Sequence, residues 1–279
     1  MEAQLIDAMG DDSSIVQAAR VSYGQGTKTL SEDRALIRYL MRHWHTTPFE
    51  MVEFKFRIKC PIFVARQHFR HRTASVNELS ARYSVVPNEY WVPQEFRGQS
   101  SVNKQGSEGA IDDPYIVMYS MYVDTCENSF KTYNRLLELG VSREQARGVL
   151  PMSTMTEFYW KINLHNLLHY LRLRLDSTAQ QEIRELAQMI FEHVKTRCPV
   201  TAEAFQDFRL DTVTLTGPEL AGSELSKGEA REFAEKKKMI AIINDPDRDP
   251  RGDRSGDNIV SGAGVVLAQG HVDGPTETA

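Results

Sequence analysis

"MVEFKFRIK", residues 51–59, sets Val52, Phe54, Phe56 and Ile58 against Glu53, Lys55, Arg57 and Lys59. Side chains alternate across a β-strand, so this spacing reads as a strand with one face in a core and the other in water. "TMTEFYWKI", residues 154–162, repeats the pattern with Thr156, Phe158, Trp160 and Ile162 on one face. Most of the remaining chain has helical signals. "SSIVQAARV" (13–21) and "SEDRALIRYLMRH" (31–43) come first, and Ser31, Glu32 and Asp33 suit the N-terminus of the second electrostatically. Pro61 starts a short helix, "PIFVARQHF". A polar loop from Arg97 to Gly109 leads to a long helix that Pro114 opens and Gly140 closes. Ser142 and Gln145 match a capping box for "SREQARGVL", stopped by Pro151, and "NLHNLLHYLRLRL" (163–175) and "AQQEIRELAQMIFEHVKTR" (179–197) follow. Strands are few and do not alternate regularly with helices. The expected fold class is therefore α+β: a single mixed domain with a small, largely antiparallel sheet flanked by helices, plus a flexible C-terminal tail.

The composition shifts near Gly222, which divides the chain into residues 1–222 and a charged, tail-like segment over 223–279. "SKGEAREFAEKKKMIAII" reads as one more helix, and the Asp-, Gly- and Pro-rich stretch beyond Asn244 as disordered. With 279 residues, 41% of them hydrophobic, the chain can bury the core of an enzyme-sized domain. A net charge of −5 argues against broad attraction to nucleic acid or membrane surfaces. The start lacks a basic and apolar leader and no stretch approaches the ~20 apolar residues of a membrane helix, so a cytoplasmic protein is expected. Cys60, Cys126 and Cys198 are far apart and without C-x-x-C spacing, which suggests neither a disulfide framework nor a thiolate metal site.

Against this acidic background "RHRTASVNELSARY", residues 70–83, stands out. The planar fork of arginine donates two parallel hydrogen bonds and stays charged, so Arg70, Arg72 and Arg82 suit phosphate. Three plainer or competing readings stand beside it. "RHR" alone fits a solvated turn, with Ser75 and Glu78 forming a local capping box. His43 with His45, and His165 with His169, have metal-ligand spacing, but "HNLLH" lacks the glutamate of the metalloprotease motif and no acidic third ligand is evident. Phe69, Tyr83, Tyr90 and Trp91 near the basic cluster fit single-stranded nucleic acid, held by charge and stacking. In the helix after Asn163, Leu164, Leu167, Leu168 and Leu171 form an apolar stripe, while Asn163, Tyr170 and Arg174 recur on another flank.

Arg70-His71-Arg72, seven residues and then Ser80, with Asn77-Glu78 between, resembles the signature of the flavin-dependent thymidylate synthases. "HTTPFE" (45–50), "ARGVLP" (146–151) and "NLHNLLHYLRLRLDSTAQQEI" (163–183) extend the similarity, which spans residues 1–215. The resemblance implies an enzyme that makes dTMP from dUMP, with 5,10-methylenetetrahydrofolate as carbon donor and NADPH as reductant through FAD. It implies that Arg70, His71, Arg72 and Glu78 contact FAD, as do Thr47, Asn163, Leu164, His165 and His169, with His45 near the flavin and folate. It implies a dUMP site lined by Gln67, His68, Phe69, Arg70, Glu78, Leu79, Ser80, Ala81, Arg82 and Arg147, with Arg174 against the pyrimidine as the catalytic residue. A homotetramer with active sites shared between subunits is implied, and no metal. Such a mechanism needs no cysteine nucleophile, in keeping with three unremarkable cysteines.

Overall fold

A computed structural model describes residues 1–21, 30–102, 104, 106–111, 113–215, 240–243 and 265–268. In chain order the elements are β1 (Glu2–Met9), α1 (Asp12–Val21), α2 (Leu30–Arg42), α3 (Thr47–Glu50), β2 (Glu53–Pro61), α4 (Ile62–His68), β3 (Ser75–Glu78), β4 (Arg97–Gln99), β5 (Ser107–Ala110) and α5 (Tyr115–Glu138). Then come α6 (Arg143–Ala146), a 3₁₀ turn (Arg147–Val149), β6 (Met155–Asn163), α7 (Leu164–Arg174), α8 (Gln181–Arg197), α9 (Pro199–Phe205), a π-helical turn (Gln206–Leu210), β7 (Thr212–Leu215), β8 (Ile240–Ile243) and β9 (Val265–Ala268). The mixed α+β class and the small antiparallel sheet are as the alternation indicates. Two compact units emerge, residues 1–9 with 52–193 and residues 10–51 with 194–279.

The first unit is organised by a four-stranded antiparallel sheet in the order β1-β2-β6-β3. Phe54, Phe56 and Ile58 of β2 oppose Ile162, Trp160 and Phe158 of β6, and all six side chains are buried. Leu164, Leu167 and Leu171 of α7 and Ile183, Leu186 and Ile190 of α8 are buried as well, and Tyr170 of α7 and His193 of α8 meet Trp160 and Phe56 with ring centroids 5.2 and 5.8 Å apart. The other face carries the charges of the alternation. Arg57 makes a two-pronged contact with Glu157 (2.8 Å for both bonds), and Lys161 pairs with Glu53 at 3.2 Å.

Several boundaries differ from the expectation for identifiable reasons. β1 is not evident from the sequence because a bulge between Leu5 and Asp7 breaks its alternation, and Ala3 and Ala8 on its inner side are small. Pro61 ends β2 and is the N-cap of α4; the Ile62 and Phe63 N–H groups donate to the carbonyls of Thr154 (3.0 Å) and Met152 (3.1 Å). Gly140, at φ +86°, closes α5, and Val141 N–H donates to Leu136 O at 2.9 Å. Ser142 is the N-cap of α6 but makes no side-chain cap bond, so the expected capping box is not formed. Ser75 and Glu78 lie in strand β3 rather than in a local cap, and part of the expected polar loop forms the β4–β5 hairpin.

In the second unit Asp12 caps α9, accepting from the N–H groups of Val200 (2.8 Å) and Thr201 (3.1 Å) and the Thr201 hydroxyl (2.6 Å). Arg38 bridges Glu203 and Asp207 at 2.8 and 2.6 Å. Strands β7, β9 and β8 form an antiparallel sheet, so Ile240–Ile243, read from sequence as the end of a charged helix, is a strand. Val265–Ala268, in the stretch read as disordered, pairs with both neighbours. The rest of the 223–279 reading lies outside the described residues. Among the described residues no helix is long and apolar enough to cross a membrane.

The core side of the sheet should dominate stability. Trp160→Ala is expected to cost about 3–5 kcal/mol through lost burial and the cavity left behind, whereas Arg57→Ala on the watered face should leave the urea midpoint nearly unchanged. Equal midpoint shifts for the two variants would contradict this division.

Candidate functional site

The basic segment runs along strand β6 and helix α7 in the first unit. Strand β6 ends at Asn163, whose side-chain oxygen accepts the Asn166 N–H at 2.9 Å and so caps α7. From that start α7 brings Tyr170 into the core and leaves Arg174 half-buried. Tyr170 and Arg174 share a flank, as the helical spacing indicates, and both meet His71, but Tyr170 is as buried as the leucine stripe. It is fully buried between two histidines: its hydroxyl lies 3.1 Å from His68 Nδ1, and its ring meets His71 edge-on with centroids 4.9 Å apart. The ring of Trp160 packs against both His68 and Tyr170, with centroids 4.3 and 5.2 Å apart.

Burial sets the protonation of this column. His68 has no solvent exposure, which lowers its pKa to about 3. His71 is lowered to about 4, first by burial, then by the Arg174 and His169 charges. Both rings are therefore neutral near pH 7. Arg174 Nε donates to His71 Nε2 at 3.0 Å. A guanidinium cannot accept, so His71 uses the Nε2 lone pair and carries its proton on Nδ1. The two terminal nitrogens of Arg174 make no hydrogen bond to described residues.

Arg70, Arg72, Arg82 and Arg147 are exposed and form no ion pair with a described residue; Arg82 stacks over the Tyr83 ring at 5.5 Å. Four guanidiniums without carboxylate partners are a donor set suited to phosphate-bearing ligands. Strand β3 holds the intervening segment at the sheet edge, where Glu78 accepts from Thr156 Oγ1 at 2.7 Å and Leu79 N–H donates to Glu157 O at 2.9 Å. Ser80 and Ala81, half-buried, start a turn in which Tyr83 N–H donates to Ser80 O at 3.0 Å. Phe69 packs edge-on against Phe158, centroids 4.7 Å apart. Gln67 is bonded to Gln180. His165 is half-buried on α7 and His169 exposed, 6.2 Å from the His71 ring by centroid.

The side chains of His68 and Leu164 are wholly buried, so each bears on a ligand only through its neighbours or its backbone. His45 and Thr47 belong to the second unit, where both are exposed and Thr47 opens α3. The cysteines are buried: burial pushes the Cys60 thiol up to about 12 and the Cys198 thiol up as well, and Cys126 Sγ lies 3.3 Å from Ser153 Oγ. None has the exposed, electropositive setting of a nucleophilic thiolate. Gln180 and Glu182, which support Gln67, have no role in the sequence reading, where "AQQEI" is the start of an amphipathic helix and the end of the family-like stretch 163–183.

Exposed arginines suited to phosphate and a forked donor beside a neutral histidine are what this geometry defines. The Thy1 family, thymidylate synthase complementing protein, matches residues 4–200. The flavin-dependent thymidylate synthase of Dictyostelium discoideum is 53% identical over 238 residues, covering 82% of this chain and 78% of the relative. That of a Thermus thermophilus strain is 56% identical over 217 residues, 78% and 80% of the two chains. Among solved structures, the UMP/dUMP methylase PolB from Streptomyces cacaoi bound with 5-Br dUMP aligns with a TM-score of 0.70 at 35% identity, covering 75% of this chain and 96% of PolB. The chain belongs to the flavin-dependent thymidylate synthases.

The neutral histidines carry a pH signature. An unfolded histidine titrates near 6.5, above the native value of about 3 for His68. As pH falls the unfolded chain takes up the proton first, so stability is full above about pH 6.5 and declines toward the native pKa. Between pH 7 and pH 5 His68 alone should remove about 2 kcal/mol. His68→Asn, which keeps a partner for Tyr170, should be less stable at pH 7 but decline more shallowly with acid. Parallel stability–pH curves for the two proteins would refute a neutral His68.

Proposed function

We propose that this chain converts dUMP to dTMP, with 5,10-methylenetetrahydrofolate as carbon donor and NADPH as reductant through non-covalently bound FAD. One observation carries the reading: Arg174 is anchored by Nε on the neutral His71 while its terminal fork has no protein partner among the described residues. Uracil must become electron-rich at C5 to accept a carbon, and a forked cation at a carbonyl oxygen of the ring stabilises the negative charge this requires. In this role Arg174 is the catalytic residue.

The exposed arginines divide the phosphates. Ser80, Arg82 and Arg147 hold the dUMP phosphate, together with backbone from Leu79 and Ala81, while Gln67, Phe69, Arg70 and Glu78 line the rest of the nucleotide. Arg70, His71, Arg72 and Glu78 would hold FAD with Asn163, His165, His169 and the Leu164 backbone; the family resemblance alone assigns Thr47 to flavin and His45 to flavin and folate. His68 supports the site from beneath through Tyr170. Bound FAD supplies the reducing equivalents, and the cysteines take no part. Val76, Leu79, Tyr83 and Val85 are 43%, 48%, 77% and 51% exposed on or beside the basic segment. Apolar exposure there fits a site completed by neighbouring subunits of a homotetramer. We place the reaction in the cytoplasm, where three free cysteines stay reduced.

Anaerobic incubation with dUMP, methylenetetrahydrofolate, FAD and NADPH should yield thymidylate. Its absence from flavin-loaded protein with all four present would refute the reading. Arg174→Lys keeps the charge but loses the fork, so thymidylate formation should fall about a hundredfold or more with FAD still bound. Near-normal formation at saturating dUMP would remove Arg174 from the chemistry.

A further inference from the structure

Behind Gln67 runs a chain of polar side chains with a defined direction. Gln67 Nε2 donates to Gln180 Oε1, and Gln180 Nε2 donates to Glu182 Oε2 at 2.7 Å. The other Glu182 oxygen pairs with Arg97 Nη2, and Arg97 Nη1 donates to Gln181. Glu182 is 4% exposed, so the far end of the chain is a dry ion pair between β4 and the first turn of α8.

An amide can be turned end for end with little change in shape, and by itself nothing settles which end of Gln67 faces outward. Here the far end settles it. A guanidinium only donates, and the carboxylate it pairs with only accepts. Glu182 must therefore receive the amide nitrogen of Gln180, which turns the Gln180 oxygen toward Gln67 and draws in the Gln67 nitrogen. The Gln67 oxygen is left pointing away, with no hydrogen bond to a described residue.

We infer that Arg97, Glu182 and Gln180 are positioning residues that fix the Gln67 amide with its carbonyl oxygen toward the nucleotide. The inference rests on the proposed placement of Gln67 at the dUMP site. The acceptor matches an N–H or O–H donor, either the uracil N3–H or the sugar 3′-hydroxyl.

The polarity can be reversed without changing shape. In Glu182→Gln, Arg97 takes the oxygen of the introduced amide, whose nitrogen then faces Gln180; Gln180 and Gln67 both turn, and Gln67 presents its nitrogen. In Gln67→Glu alone, a carboxylate meets the Gln180 oxygen. Combined, the turned Gln180 donates to the introduced carboxylate, and an acceptor faces the nucleotide again. The dUMP dissociation constant of the FAD-loaded enzyme, measured without turnover, should rise about tenfold or more in each single variant and recover in the double variant. Flavin content and thermal midpoint report whether the fold is kept. Gln180→Met, which cuts the chain but leaves the Arg97–Glu182 pair, should weaken dUMP binding to a similar degree and serves if Glu182→Gln loses flavin.

Unchanged binding in Glu182→Gln or Gln180→Met, or a double variant as weak as the two effects combined, would overturn the inference. Gln67→Ala with unaltered dUMP binding would instead overturn the placement of Gln67 at the site, and the inference with it. Repeating the cycle with 2′,3′-dideoxyuridylate identifies the donor. Loss of the coupling assigns it to the 3′-hydroxyl, and retention to the ring N–H; both support an acceptor at Gln67.

Discussion

The antiparallel ladder between β2 and β6 is the constraint from which the first unit follows. Its register brings Phe54, Phe56 and Ile58 opposite Ile162, Trp160 and Phe158, and the resulting apolar floor is what α7 and α8 cover. The two strands also deliver the chain to the site from opposite directions. β2 runs out at Pro61 into α4, which carries Gln67 and His68, while β6 runs out at Asn163 into α7, which carries Tyr170 and Arg174. Because the same ladder fixes both exits, the contact between His71 and Arg174 is a consequence of strand pairing as much as of local sequence.

Dryness does the electrostatic work at that contact. An imidazolium beside a guanidinium would repel it, and burial, complete at His68 and partial at His71 where the Arg174 charge adds to it, keeps both rings uncharged near pH 7. A neutral ring is then an acceptor that holds the guanidinium by one edge. The same logic operates behind Gln67, where the dry pair of Arg97 and Glu182 converts two ambivalent amides into a directed series. In both cases a charge with one hydrogen-bonding sense imposes order on neighbours that have two.

How far the sequence discloses this depends on the range of the interaction. The strands β2 and β6 and the helices α5, α7 and α8 are legible because alternation and helical periodicity are local properties of burial. The basic segment stands out in the sequence because arginines clustered in an acidic chain suit an anion. Strand β1 is hidden by its bulge, and β3 by a polar composition that suits an edge position. The flank shared by Tyr170 and Arg174 is legible, but not the burial of Tyr170, because helical spacing orders faces and does not say how deep each will lie. The chain of Gln180, Glu182 and Arg97 could not be foreseen, since Arg97 lies far along the sequence in a hairpin that reads as loop.

The outer face of the ladder adds one more consideration. In the observed register Lys55 stands directly opposite Lys161, and the favourable contacts Arg57–Glu157 and Lys161–Glu53 run diagonally. Sliding β6 by two residues would set Lys161 opposite Glu53 and Glu157 opposite Arg57, so the charges alone favour a different alignment. The apolar side overrules them, since exposed pairs are worth little beside buried Phe and Trp side chains. A two-residue slip would move Asn163 and the start of α7 by about 7 Å along the strand. Alignment of Arg174 is therefore decided on the buried side of the sheet, in a contest that the surface charges lose.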